Sequence, residues 1–67
     1  DGLAIPEKIV RRAAAFLRPG GLLVMEHDSS QSHALVSFAT SVGFSQAHTA
    51  PDLTGRDRFL VADKAEG

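Results

Sequence analysis

Between Ile5 and Leu17 the apolar residues recur at helical spacing. Ile9, Ala13, Phe16 and Leu17 share one face, and Glu7, Lys8, Arg11 and Arg12 share the other. The spacing predicts an amphipathic helix over this stretch. Pro6 suits its first turn, where a missing N–H costs nothing, and Glu7 complements the positive helix start. Arg18 lies at the opposite, negative end. Pro19, Gly20 and Gly21 then stop the helix, because proline cannot continue it and glycine takes the turn that closes it.

Leu22 to Met25 follows as an unbroken apolar run, the pattern of a central parallel strand covered on both faces. Glu26, His27, Asp28, Ser29 and Ser30 end that run with loop and capping residues, and either serine can cap the next helix. Leu35, Phe38, Ala39 and Val42 repeat at i, i+3, i+4 and i+7, which predicts a second amphipathic helix stopped by Gly43. From Phe44 to Ala50 the alternation is weaker. Phe44, Gln46 and His48 fall on one side and Ser45, Ala47 and Thr49 on the other, as in a partly exposed strand. Pro51 to Asp57 is rich in turn residues, Arg58 to Asp63 is a last strand, and Lys64 to Gly67 reads as a polar tail.

The predicted order is helix, strand, helix, strand, strand. Helix-strand alternation implies parallel pairing through right-handed crossovers, and a final strand reached by a loop alone must return antiparallel. The fold class expected is α/β.

Composition narrows the function classes. With 67 residues, the chain is at most one small domain, and a domain this size buries only about 60% of its unfolded surface. It has no cysteine, so no disulfide can staple it, and its three histidines lack the cysteine partners of structural zinc sites. A net charge of −1 with scattered basic residues gives no electrostatic footprint for nucleic acid or a membrane surface. The longest apolar run is far short of the ~20 residues that span a bilayer. No secretory leader opens the chain, no initiator methionine is present, and the sequence reads as part of something longer.

Five strings sharpen this picture. Phe16 to His27, FLRPGGLLVMEH, resembles the helix, Pro-Gly-Gly turn and central strand of class I S-adenosylmethionine-dependent methyltransferases. DGL at Asp1 to Leu3, MEH at Met25 to His27 with Gln31 after it, VGF at Val42 to Phe44, and DLTGRDR at Asp52 to Arg58 together resemble the HemK/PrmC family of release-factor glutamine methyltransferases. That family tends to carry glycine where Asp28 and Ser32 stand. The resemblance covers nearly the whole chain and implies the C-terminal part, residues 1–67, of a Rossmann-like class I methyltransferase catalytic domain whose last strand is antiparallel.

It further implies an enzyme that moves a methyl group from S-adenosylmethionine to a glutamine side-chain amide of a peptide chain release factor in the cytoplasm. The partners implied are the release factor and the remainder of the chain's own catalytic domain. An amide nitrogen is a poor nucleophile, so such a site works by orienting it and accepting its N–H groups. The family's Asn-Pro-Pro-Tyr motif, which does this, is not among these residues. Nor is a glycine-rich turn that follows a strand and opens a helix, because Gly20-Gly21 precedes a strand. No catalytic, cofactor-binding or metal-binding residue is therefore assigned, and the piece alone is expected neither to bind the cofactor nor to methylate.

Glu26 and His27 are the candidate wall of the acceptor pocket, because ligands of open α/β sheets bind outside the carboxyl ends of strands. The plainer account is that they end the strand and lead into a cap. Gly55, Arg56, Asp57 and Arg58 suit either a partner contact or a turn with a solvated charge pair. His33 and His48 read as surface residues. His27, Asp28 and Ser29 are sequence neighbours, which is not how a hydrolytic triad is assembled. Two other functions fit parts of the pattern: a class I methyltransferase acting on RNA, DNA or a small molecule, and a non-catalytic module that completes a partner's sheet.

Overall fold

The computed structural model describes residues 2–65. They form α1 (Ala4–Phe16), β1 (Leu22–Glu26), a 3-10 turn (Ser29–Gln31), α2 (Ser32–Ser41), β2 (Phe44–Pro51) and β3 (Asp57–Lys64). The predicted order holds, and the last strand returns antiparallel.

The sheet order is β1-β3-β2, with β3 antiparallel to both neighbours. β1 and β2 therefore run parallel but do not pair, which corrects the parallel pairing expected of them. A tight hairpin forces β3 onto one edge of β2, and β3 then presents its own free edge to β1. Among the described residues β1 is an edge strand rather than a central one. Its burial alternates: Leu23 and Met25 are half-buried, whereas Leu22 and Val24 are 56% and 58% exposed.

Both helices lie on one face. α2 packs on β2 and β3, and α1 packs on α2. Val10, Ala14, Leu35, Ala39, Phe44, Leu60 and Ala62 form the buried core. On α1 the inward residues are Val10 and Ala14, supported by Leu3, Ala13 and Leu17. Ile9 and Phe16, expected inside, are 46% and 83% exposed, and Ile5 is 72% exposed. The helix carries two apolar stripes, and spacing alone does not say which one meets α2. Arg11 lies over the Phe38 ring at 5.4 Å from its centroid, a cation–π contact between the helices.

The weak pattern in β2 has a local cause. Pairing slips between Phe44↔Lys64 and Gln46↔Asp63, so Ser45 is an extra residue. Such a bulge resets the alternation and puts Phe44 on the same face as Ala47 and Thr49, not with Gln46 and His48. Phe44 is accordingly 2% exposed.

Arg18 to Gly21 make the turn between α1 and β1. The Gly21 N–H donates to the Arg18 carbonyl at 2.8 Å, and Gly20 has φ 85°. Proline followed by a positive-φ glycine is the type II arrangement. A Cβ on Gly21 would stand 2.9 Å from the Arg18 oxygen, so the position excludes larger residues. The Gly20 N–H donates to the Lys64 carbonyl, and the Lys64 N–H to that of Gly21. The Lys64 ammonium reaches the Ala14 carbonyl. Lys64 thus belongs to β3 and not to the polar tail expected from it onward; residues 66–67 of that tail lie outside the described residues.

Candidate functional site

β1 delivers Glu26 and His27 to the carboxyl end of the sheet, the end where the first turns of α1 and α2 also lie. Glu26 closes β1 on the open side of the sheet and is exposed. His27 follows it, and its N–H donates to the Arg58 carbonyl at 2.7 Å, extending the β1–β3 ladder by one bond. The His27 ring is 5% exposed. The two candidates therefore sit side by side in the chain but in different surroundings, one wet and one buried.

The His27 ring is oriented by its neighbour. Nδ1 is 2.8 Å from the Asp28 carbonyl oxygen. A carbonyl only accepts, so a bond here requires the hydrogen on Nδ1. Among the described residues Nε2 is buried without a hydrogen-bond partner, as is Nε of Arg58.

Asp28 caps the turn that follows. Its carboxylate accepts from the Ser30 N–H and the Ser30 hydroxyl, each at 2.9 Å, and Gln31 Oε1 accepts from the Asp28 N–H at 3.1 Å. This reciprocal pair is a capping box, so the cap is Asp28 rather than either serine. The spacing Asp28-x-x-Gln31 carries the capping-box signal in the sequence itself. Asp28 adopts φ −70°, ψ 141°, extended backbone that needs no glycine. The Ser30 N–H, then its hydroxyl, then the nearby Arg58 and His27 hold the Asp28 carboxyl below the usual carboxylate range.

Gln31 does more than cap. Its Nε2 donates to the Gly2 carbonyl at 2.7 Å, tying the segment that enters α1 to the loop that leaves β1.

The Asp52 to Arg58 string is a hairpin connection. The Gly55 N–H donates to the Asp52 carbonyl at 3.0 Å, and the Asp52 N–H to that of Arg56 at 2.8 Å. Gly55 takes φ 85°, as the left-handed position of a three-residue hairpin loop requires. The Asp52 carboxylate accepts from the Thr54 hydroxyl at 2.6 Å, the Thr54 N–H at 2.8 Å and the Arg56 N–H at 3.2 Å. The hydroxyl bond leads in holding that carboxyl below its ordinary range. Turn chemistry accounts for Asp52, Thr54 and Gly55, and Arg56 and Asp57 are exposed.

The remaining candidates stand apart. His33 and His48 are exposed. His33 lines a shallow open groove of about 280 Å³ with Ser32, Val36, Thr49 and Asp57, to which neither Glu26 nor His27 contributes. Among the described residues no three His, Asp or Glu side chains are grouped to hold a metal ion, and no helix is long and apolar enough to cross a membrane.

The sequence has close counterparts among curated proteins. It is 56% identical over 62 residues, 92% of this chain, to a release factor glutamine methyltransferase of Bifidobacterium longum. It is 43% identical over 67 residues, the whole of this chain, to one of Deinococcus radiodurans, and 40% identical over 98% of this chain to one of Mycobacterium leprae. The chain spans about a fifth to a quarter of their length, at 21%, 24% and 23% respectively. No family model matches it, and no solved structure does. Sequence similarity and the α/β order of elements both support the HemK/PrmC-like resemblance.

Proposed function

We propose that these residues are the C-terminal part of a release factor glutamine methyltransferase, which moves a methyl group from S-adenosylmethionine to the side-chain amide nitrogen of a glutamine in a peptide chain release factor. The observation that carries this reading is 56% identity over 92% of the chain to a protein of that name, with similar proteins matching in the same way. The enzyme would act in the cytoplasm on the machinery of translation termination.

In this reading the 67 residues are one end of a larger Rossmann-like catalytic domain. β1 has an unpaired edge among the described residues, and its Leu22 and Val24 face away from the helices. Ile5, Ile9 and Phe16 add a second uncovered apolar stripe on α1. Exposed apolar surface of this kind marks an interface, and the rest of the catalytic domain is its natural cover.

The loop from His27 to Gln31 does not fit the methyl donor. It has no glycine to let a nucleotide approach the backbone, and its one carboxylate is engaged as a cap. The donor site is assigned to the other part of the domain. What this piece offers is position: Glu26 at the mouth of the sheet's carboxyl end as an acceptor for amide N–H, and His27 behind it as a buried, fixed wall. Orienting a weak nucleophile and accepting its N–H groups is how such a reaction is accelerated.

The test is transfer of labelled methyl groups from S-adenosylmethionine to a purified release factor by the enzyme containing this chain. Label on the release factor is expected, and Glu26→Gln should reduce the rate. Absence of label would overturn the function, and an unchanged rate in Glu26→Gln would return Glu26 to strand termination alone.

A further inference from the structure

We infer that Gln31 is a positioning residue that couples the segment entering α1 to the loop leaving β1, and so sets the mouth of the site at the sheet's carboxyl end; its effect on catalysis rests on the function proposed above. One carboxamide serves both sides. Oε1 accepts from the Asp28 N–H at 3.1 Å within the capping box, and Nε2 donates to the Gly2 carbonyl at 2.7 Å across 29 positions of sequence.

The arrangement goes beyond a cap. A capping box needs only the acceptor oxygen of its third residue, so glutamate serves there as well as glutamine. The Gly2 bond needs the donor, which glutamate lacks at neutral pH. The N-cap position of α1 is Leu3, whose apolar side chain makes no capping bond. The Gln31 amide adds a long-range polar tie to the approach to α1. A Cβ at Gly2 would lie 3.5 Å from Nε2, ordinary contact rather than a clash, so the bond does not depend on glycine there. The tied loop, 27–31, begins at His27 and directly follows Glu26, so losing the tie should loosen that loop while leaving the sheet and core in place.

Two substitutions in the enzyme containing this chain separate the roles. Gln31→Glu keeps the cap and removes the tie, and Gln31→Ala removes both. For Gln31→Glu the expected result is a rise in KM for the release factor of about two- to tenfold, the worth of one hydrogen bond. The KM for S-adenosylmethionine and the thermal midpoint should be unchanged, and the Glu7 amide, which closes the first turn of α1 on the Leu3 carbonyl, should exchange faster with deuterium. Unchanged acceptor KM with unchanged exchange would overturn the inference. So would a lowered midpoint with both KM values rising together, which would make Gln31 a structural residue only. If the parent enzyme transfers no methyl group to a release factor, the proposed function fails, and exchange alone decides the coupling: faster exchange upholds it and unchanged exchange overturns it.

Discussion

Along β1 the two faces of the sheet have the same apolar character in sequence and opposite fates in the structure. On the helix side, Leu60 and Ala62 are fully buried beneath α2, with Leu23 and Met25 half-buried beside them. On the other side, Leu22 and Val24, in the same apolar run, are more than half exposed. Side chains alternate along a strand, so a continuous apolar run demands cover on both faces. The covered face is a finished core, and the open face is left bare among the described residues.

The largest effect expected from that contrast is at the core. Leu60→Ala removes a fully buried side chain and should cost about 2–5 kcal/mol in denaturant unfolding of the parent enzyme. A cost below 1 kcal/mol would mean that the covered face is not the core. Val24→Ser should discriminate between contexts. In the isolated chain it should change stability by less than about 0.5 kcal/mol, as at an exposed position. In the parent enzyme, where the rest of the domain covers that face, it should cost about 1–3 kcal/mol. Equal small effects in both would show that nothing packs on this face. For the same reason the isolated 67 residues should self-associate on size exclusion, whereas Val24→Lys should shift them toward monomer, because a charge on an edge strand blocks pairing.

The acid response belongs to the loops rather than to either face. The Asp28 and Asp52 carboxyls are held below their ordinary range by Ser30 and Thr54 respectively. A carboxyl lowered by folding stabilises the native state fully above its unfolded value, about 3.9 for aspartate, and that contribution fades as pH falls through the lower folded value. Thermal midpoints should therefore fall on acidification below about pH 4. Asp28→Asn with Asp52→Asn should flatten part of that fall, and an identical profile would remove these two groups from the account. The smallest effect is expected at Leu53, wholly exposed on the hairpin loop, where Leu53→Ser should leave the midpoint unchanged.

Much of this was legible in the chain. The helix over 5–17, the Pro-Gly-Gly stop, the strand at Leu22 and the returning last strand all follow from local pattern and turn chemistry. What local pattern misses is choice among equals. It could not tell which apolar stripe of α1 faces inward, because Ile5, Ile9 and Phe16 compete with Val10 and Ala14. Nor could it place β3 between β1 and β2, because pairing is settled by tertiary packing. The bulge at Ser45 hid the inward side of β2 for the same reason: one extra residue reverses every later side chain. At the candidate site, Glu26 and His27 were legible from their place at a strand's end. The tie from Gln31 to Gly2 was not, since nothing local links residues 29 positions apart.

The most direct test of the central claim is tandem mass spectrometry of a release factor after incubation with the parent enzyme and S-adenosylmethionine. The account predicts one added methyl group on the side-chain amide of a glutamine. A methyl group found only on another residue type, or only on RNA present in the same reaction, would contradict it.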